Sequence, residues 1–207
     1  MKKLVIIGAS GHGKVVADIA KKSGYTEIAF LDDESIADCG GYPVVGRSTD
    51  VANMDADVIV AIGNAEIRER IQESIDESWM ATLIHPDAVV AEGVQIGAGS
   101  VVMAGTVINP GVRIGRGCIV NTSSSIDHDC IVGDYVHVSV GSHLCGTVAV
   151  GDGTWIGAGA TVSNNVSICS DCVIGTGTVV IKDIETAGTY IGVPAEIIKK
   201  DRRENKF

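Results

Sequence analysis

Aromatic residues are scarce: two Phe, two Trp and four Tyr make up 4% of a chain that is 45% hydrophobic. Its core must therefore be built from Ile, Val, Ala and Gly, which suits an interior too narrow for rings. Positive charge is also short, with 16 Lys and Arg against 26 Asp and Glu and a net charge of -10. That balance excludes a phosphate-backbone surface and with it a nucleic-acid partner. No apolar run approaches the roughly eighteen residues of a membrane span, and Met1-Lys2-Lys3 leads into only Leu4–Ile7, too short a run for export. A cytoplasmic protein without a membrane partner is expected. Among six Cys there is one CxxC, Cys169 to Cys172, and no second pair to complete a zinc site.

What is present is a period. Seventeen consecutive hexads run from Ile84 to Glu185, and each opens with Ile, Val or Leu. The fifth position, from Ala88 to Thr178, holds only Ala, Val, Ser, Thr or Cys. Six residues match neither a helical face nor strand alternation. They match a solenoid in which three short strands make one triangular coil, the large aliphatic filling the prism and the small residue lying beside it. The expected fold is a left-handed parallel β-helix of hexapeptide repeats. Cys118, Cys130 and Cys172 take the small inward position and read as buried reduced thiols, which makes the lone CxxC a by-product of the repeat.

Residues 1–82 read differently, as a small Rossmann-like α/β domain preceding the prism of residues 83–207. Lys3–Gly8 and Ile28–Leu31 read as buried strands, with a helix from about Gly13 to Ser23 between them. Val58–Ile62 is a further strand and Ala65–Glu77 an amphipathic helix. After Glu185 the hexad fails, and Ile191-Gly192-Val193-Pro194-Ala195 leads into a basic tail, Lys199, Lys200, Arg202, Arg203 and Lys206, expected to cap the open end of the prism. Such a tail is solvated, or meets an anionic cofactor.

Two constellations can carry chemistry. Gly8-Ala9-Ser10-Gly11-His12-Gly13 follows a strand and opens a helix, so glycines and free helix N–H groups can receive a phosphate. Its order, GxxGxG, is neither the dinucleotide GxGxxG nor the P-loop. Asp32, about twenty residues on at a strand end, stands where a ribose hydroxyl is bound; an unliganded tight turn is the alternative. In the prism, Asp127-His128-Asp129 places an imidazole between two carboxylates, which raises its basicity. His137 and His143 follow at the sixth hexad position, on adjacent faces or corners. Three His also suggest the zinc site of γ-class carbonic anhydrases, but those enzymes show a five-residue offset between two ligands, which six replaces here. Ala158 and Thr176 are eighteen residues apart, one coil, and stack so that their backbone groups form a ladder for an extended pantetheine arm; ordinary corner residues are the alternative. Gly146, after Cys145, likewise leaves space for that arm.

GASGHG at 8–13, FLDD at 30–33, AIGN at 61–64, NTSSSIDHDC at 121–130, HVSVG at 137–141 and IGVPA at 191–195 together resemble one family, over nearly the whole chain. It is the bacterial nucleotide-sugar acetyltransferases that join a small Rossmann-like domain to a left-handed β-helix. The nearest likeness is to UDP-4-amino-sugar N-acetyltransferases of the bacillosamine pathway, and next to sialic acid O-acetyltransferases. The resemblance implies a homotrimer with sites between subunits and direct transfer of acetyl from acetyl-CoA to the 4-amino group of a UDP- or dTDP-linked 4-amino-4,6-dideoxy sugar. Ser10, Gly11 and His12 would meet the diphosphate, and Asp32, Asp33 and Gly63 the nucleoside. Asn121 would lie beside the amine. His128 would be the general base, supported by Asp129 where the family often has Glu. His137, Ala158 and Thr176 would line acetyl-CoA, and no metal is expected. Sugar O-acetylation and a non-catalytic sugar-nucleotide scaffold are the alternatives.

Overall fold

The computed structural model describes residues 2–34 and 36–198. The basic cluster from Lys199 to Lys206 lies outside the described residues. No helix among them is long and apolar enough to cross a membrane.

The α/β domain opens with β1 (Lys3–Ile7), whose alternate residues divide between two cores, Leu4 and Ile6 on one side and Val5 and Ile7 on the other. Helix α1 (Gly11–Lys22) follows, then β2 (Glu27–Leu31), β3 (Asp38–Cys39), β4 (Tyr42–Gly46), β5 (Asp57–Val60) and α2 (Ala65–Gln72). The sheet order β3-β4-β2-β1-β5 places β1 between β2 and β5 and parallel to both. Two sequence expectations about the helices are corrected. Helix α1 starts two residues before Gly13, because the Ser10 hydroxyl accepts from the Gly13 N–H and caps it. Helix α2 stops at Gln72 rather than Glu77, because the chain turns by short bonds from Ser74 and Ile75 and buries Ile75 under the sheet. Strands β3 and β4 carry little sequence signal, because β3 has two residues and β4 contains Pro43 and no fully buried residue.

From Leu83 the chain winds into the left-handed β-helix that the hexads imply. Among the described residues the first face carries eight strands, from Leu83–Ile84 through Ile119–Val120, His137–Val138 and Trp155–Ile156 to Val173–Ile174, extended by Thr189–Ile191 and an antiparallel Glu196–Ile197. The second face has six, from Val89–Val90 to Val179–Val180, and the third has five, from Gln95–Ile96 to Ser167–Ile168. Strands eighteen residues apart pair in parallel register, as Ile119 with His137 and His137 with Trp155. The hexad openers point inward and are buried from Val102 onward, with the small residues Cys118, Cys130, Val136, Ala160 and Cys172 beside them. Ile84 is the exception, 40% exposed, because no coil lies beneath it.

The α/β domain packs on the first face. Leu83, Val101 and Ile119 point outward there, yet each is 3% exposed or less, because they share a core with Leu4, Ile6, Val16 and Phe30. Each such burial stabilises the junction by about 1.5–3 kcal/mol. Further up the same column the outward residues become His137 and Trp155. The carboxyl edge of the sheet therefore faces an imidazole and an indole.

Candidate active site

The first group of candidate residues lies along that carboxyl edge. At the end of β1, Gly8 adopts φ +111°, and a Cβ on Gly13 would stand 2.2 Å from the Gly8 carbonyl, so the turn admits only glycine at Gly13. Asp32 holds this turn in place, accepting from the Ala9 N–H at 2.6 Å and from the Glu34 N–H at 2.8 Å. Asp33 accepts from the Ser48 N–H and hydroxyl at 3.0 and 2.9 Å. Both carboxylates thus already have structural tasks, with lone pairs to spare for a ligand. Gly11 and Gly63 are exposed, and a side chain at either would meet nothing within 4 Å.

His12, at the start of α1, is largely buried, and its Nε2 has no partner among the described residues. Burial first, and the Arg68 guanidinium second, push its pKa down to about 4. His137 shares this junction. Its ring stacks on Trp155 at 3° and 5.7 Å between centroids, and the Trp155 indole N–H is tied to the Ser139 hydroxyl at 2.6 Å. The Asn121 carboxamide has its Oδ1 occupied by the Thr122 N–H at 2.8 Å, which assigns its Nδ2 as donor to His137 Nε2 at 3.1 Å. The proton of a neutral His137 must then be on Nδ1, which is buried and unpartnered. Burial, followed by Arg68 and His12, depresses this imidazole to about 3. Ala158 and Thr176 stack at the corner between the first and second faces, the corner that also holds Asn121; the Gly177 N–H donates to the Ala158 carbonyl at 2.9 Å.

The second group occupies a different corner, between the second and third faces. His128 is exposed there, and its Nδ1 lies 2.9 Å from Asp129 Oδ2. Asp129 is at φ +58°, a left-handed conformation that Asp tolerates, and its N–H donates to the Pro110 carbonyl one coil below. Asp127 accepts from the Asn109 amide at 2.7 Å and from the His128 N–H at 2.8 Å. The hydrogen bond from Asp129, and then the charge of Asp127, raise the His128 pKa above its ordinary value. With Nδ1 turned to Asp129, Nε2 is left free to accept a proton. A Cβ on Gly146 would stand 2.5 Å from that Nε2. The space at Gly146, which the sequence suggested for a pantetheine arm, is taken by the His128 ring.

His143 joins neither group. It projects from the middle of the second face, where its Nδ1 meets the Ser125 hydroxyl at 2.8 Å. No cluster of three His, Cys, Asp or Glu suited to a metal occurs among the described residues. The Cys169 and Cys172 sulfurs are 3.5 Å apart as free thiols, and burial pushes Cys172 up to about 11. Sequence reasoning missed Asn109, Arg68 and Trp155. Asn109 stands eighteen residues before Asp127, so the coil period alone would have found it.

Comparison with known proteins agrees with this architecture. The PglD N-terminal domain family matches residues 3–75, and the bacterial transferase hexapeptide family (six repeats) matches residues 147–182. The acetyltransferase domain of PglB from Neisseria gonorrhoeae FA1090 is 40% identical, with a TM-score of 0.91 over 96% of this chain and 100% of that one. The same domain is known in complex with acetyl coenzyme A. A histidine-to-asparagine mutant of perosamine N-acetyltransferase from Caulobacter crescentus, in complex with CoA and GDP-perosamine, is 34% identical, with a TM-score of 0.91 over 97% of this chain and 98% of that one. UDP-N-acetylbacillosamine N-acetyltransferase of Bacillus subtilis (strain 168) is 36% identical over 113 residues, which are 50% of this chain and 52% of that relative. The matched stretch thus spans about half the length of that curated protein. With a PglD-type domain docked on a hexapeptide prism, and near-complete superposition on such enzymes, the chain belongs to the bacterial hexapeptide-repeat acetyltransferases.

Proposed function

We propose that the protein transfers the acetyl group of acetyl-CoA to the 4-amino group of a UDP- or dTDP-linked 4-amino-4,6-dideoxy sugar. The observation that carries this reading is His128: an exposed imidazole, its Nδ1 held by a carboxylate and its Nε2 left free over Gly146. An amine attacks a thioester only when unprotonated, and such an imidazole removes its proton. The amine nitrogen bonds to the carbonyl carbon, the C–S bond breaks, and the CoA thiolate takes up the proton that His128 received. No acetyl-enzyme is needed, because thiolate is a good leaving group and the nearest thiol in sequence, Cys130, is fully buried.

The nucleotide-binding edge and His128 lie at different corners of one prism, so a single chain does not assemble the site. Both corners bound the second face. The first face is covered by the α/β domain and cannot turn inward. A ring of three copies with second faces inward brings His128 and Gly146 of one copy against Asn121, Ala158 and Thr176 of the next. Val89, 63% exposed, and Val107, 37% exposed, supply apolar surface for that contact. Acetyl-CoA then lies in the groove between two prisms, and the sugar nucleotide lies on the sheet edge with its phosphates at Ser10, Gly11 and His12.

The test is thiol release from acetyl-CoA with a panel of UDP-, dTDP- and GDP-linked 4-amino-4,6-dideoxy sugars. Release with a UDP- or dTDP-linked member, absent in His128→Ala, is expected. Release only with a sialic acid would replace the reading by O-acetylation; silence everywhere would leave a binding scaffold.

A further inference from the structure

One side chain joins the two regions that the proposed reaction requires. Arg68 projects from α2 and is 1% exposed, the most thoroughly buried charge in the described residues. Its guanidinium makes four hydrogen bonds, all to main-chain carbonyls. Nη1 donates to Ile62 at 2.8 Å and Gly63 at 2.9 Å, both in the turn that follows β5. Nε donates to Gly117 at 2.6 Å and Nη2 to Tyr135 at 2.5 Å, which are stacked corner residues one coil apart on the prism. None of these partners is a carboxylate. A buried cation without a counter-ion is costly, and here the planar fork directs four of its five N–H donors onto carbonyls.

Resting on the acetyl-transfer reading above, we infer that Arg68 is a positioning residue for that transfer. It holds the Ile62-Gly63 turn, and hence the edge that receives the sugar nucleotide, at one height over the coil of Asn121 and His137. That height sets where the acceptor amine meets a neighbouring His128.

A second contact shows what a merely structural bond looks like in the same place. Gln72, one helical turn on from Arg68 in α2, donates to the Ala98 carbonyl at 3.0 Å, one coil further down the same corner. It fastens α2 to the prism but touches nothing at the sheet edge. Arg68 also carries charge into the junction, where it acts on both His12 and His137 against protonation. The two roles separate chemically. Lys at this position keeps the charge but, with a compact ammonium, cannot span four carbonyls; Met keeps the volume and loses both.

The experiment compares Arg68→Lys, Arg68→Met and Gln72→Leu in the full chain, with acetyl-CoA and the best acceptor of the panel. Arg68→Met is expected to lower kcat about 100-fold, the scale of a 1 Å misplacement, with the KM for acetyl-CoA within about 2-fold of wild type. Arg68→Lys should lower kcat about 10-fold, and Gln72→Leu should lower the melting temperature while leaving kcat within about 2-fold. Histidine NMR titration supplies a readout independent of turnover: His137 should titrate higher in Arg68→Met than in the wild type and stay low in Arg68→Lys. Unchanged kcat in Arg68→Lys, or an equal loss in Gln72→Leu, overturns the inference. If Arg68→Met does not fold, the Lys variant decides. A wild-type chain silent on every acceptor sinks the functional reading instead, and the positioning inference falls with it.

Discussion

Two histidines nine residues apart, His128 and His137, occupy opposite environments on the same prism. His128 is exposed at a corner, with a carboxylate on its Nδ1 and a second at its own N–H, and its pKa is raised. His137 is enclosed between the prism and the α/β domain, near a buried guanidinium, and is held neutral to about 3. The contrast shows that coil position, rather than residue type, decides whether an imidazole is exposed with a raised pKa or buried and held neutral. A corner residue lies open to solvent and to a neighbour. An outward residue of the first face is covered as soon as a second domain docks.

Removing the proposed base breaks the contrast most severely. His128→Ala should lower kcat about 1,000-fold, with the melting temperature unchanged because the ring is exposed. A variant retaining more than a tenth of the activity would reject the assignment. Gly146→Ala comes next. Its Cβ would force the His128 ring aside, and a loss of kcat of about 10- to 100-fold is expected without loss of fold; parallel rate and melting measurements decide it. Asp129→Asn sharpens the contrast further. The wild-type acid limb of kcat/KM should lie above pH 6.5, since protonated His128 cannot accept a proton and its pKa is raised. Without the Asp129 carboxylate that limb should move to lower pH, with a loss of about 10-fold on its plateau. A limb that does not move would place the rate-limiting ionisation elsewhere.

The smallest effect belongs to the buried histidine. Its folded pKa lies below the unfolded value, so the unfolded chain binds more protons as pH falls from 6.5 toward about 3. Stability should therefore decline through that window. Replacing His137 by Gln should remove about 2 kcal/mol of the decline between pH 7 and 5, read from urea midpoints. An unchanged pH slope would mean that His137 titrates alike in the folded and unfolded chains.

How much of this was legible in the chain follows from the range over which each contact acts. The prism was readable because every coil repeats one local decision, a large aliphatic and a small residue at fixed spacing. The His128–Asp129 pair was readable because its partners are adjacent in sequence, although only coordinates give the 2.9 Å contact and the free Nε2. Arg68 was not readable. On the helix pattern it is one more charged residue on a polar face, and its prism partners are carbonyls 49 and 67 residues away, which carry no side-chain signature. Trp155 was a rare aromatic without an assigned partner until the coil register placed it directly above His137. The space at Gly146 was recognised and its occupant was not, because the ring that fills it comes from the coil below.

The corner residues of the prism hold one further consequence. Among the described residues the left-handed backbone recurs every six positions from Gly93 to Gly177, mostly on glycine, and six of these corners carry another residue. Three of the six, Ser123, Asp129 and Tyr135, are consecutive, and they are the three corners of the single turn that contains Asn121, His128 and His137. Each non-glycine corner is disfavoured by about 1 kcal/mol. The turn that holds Asn121, His128 and His137 is therefore the least relaxed rung of an otherwise uniform ladder. Side chains stand there where glycine would relax the backbone, and a Ser123→Gly chain should melt at a higher temperature than the natural one.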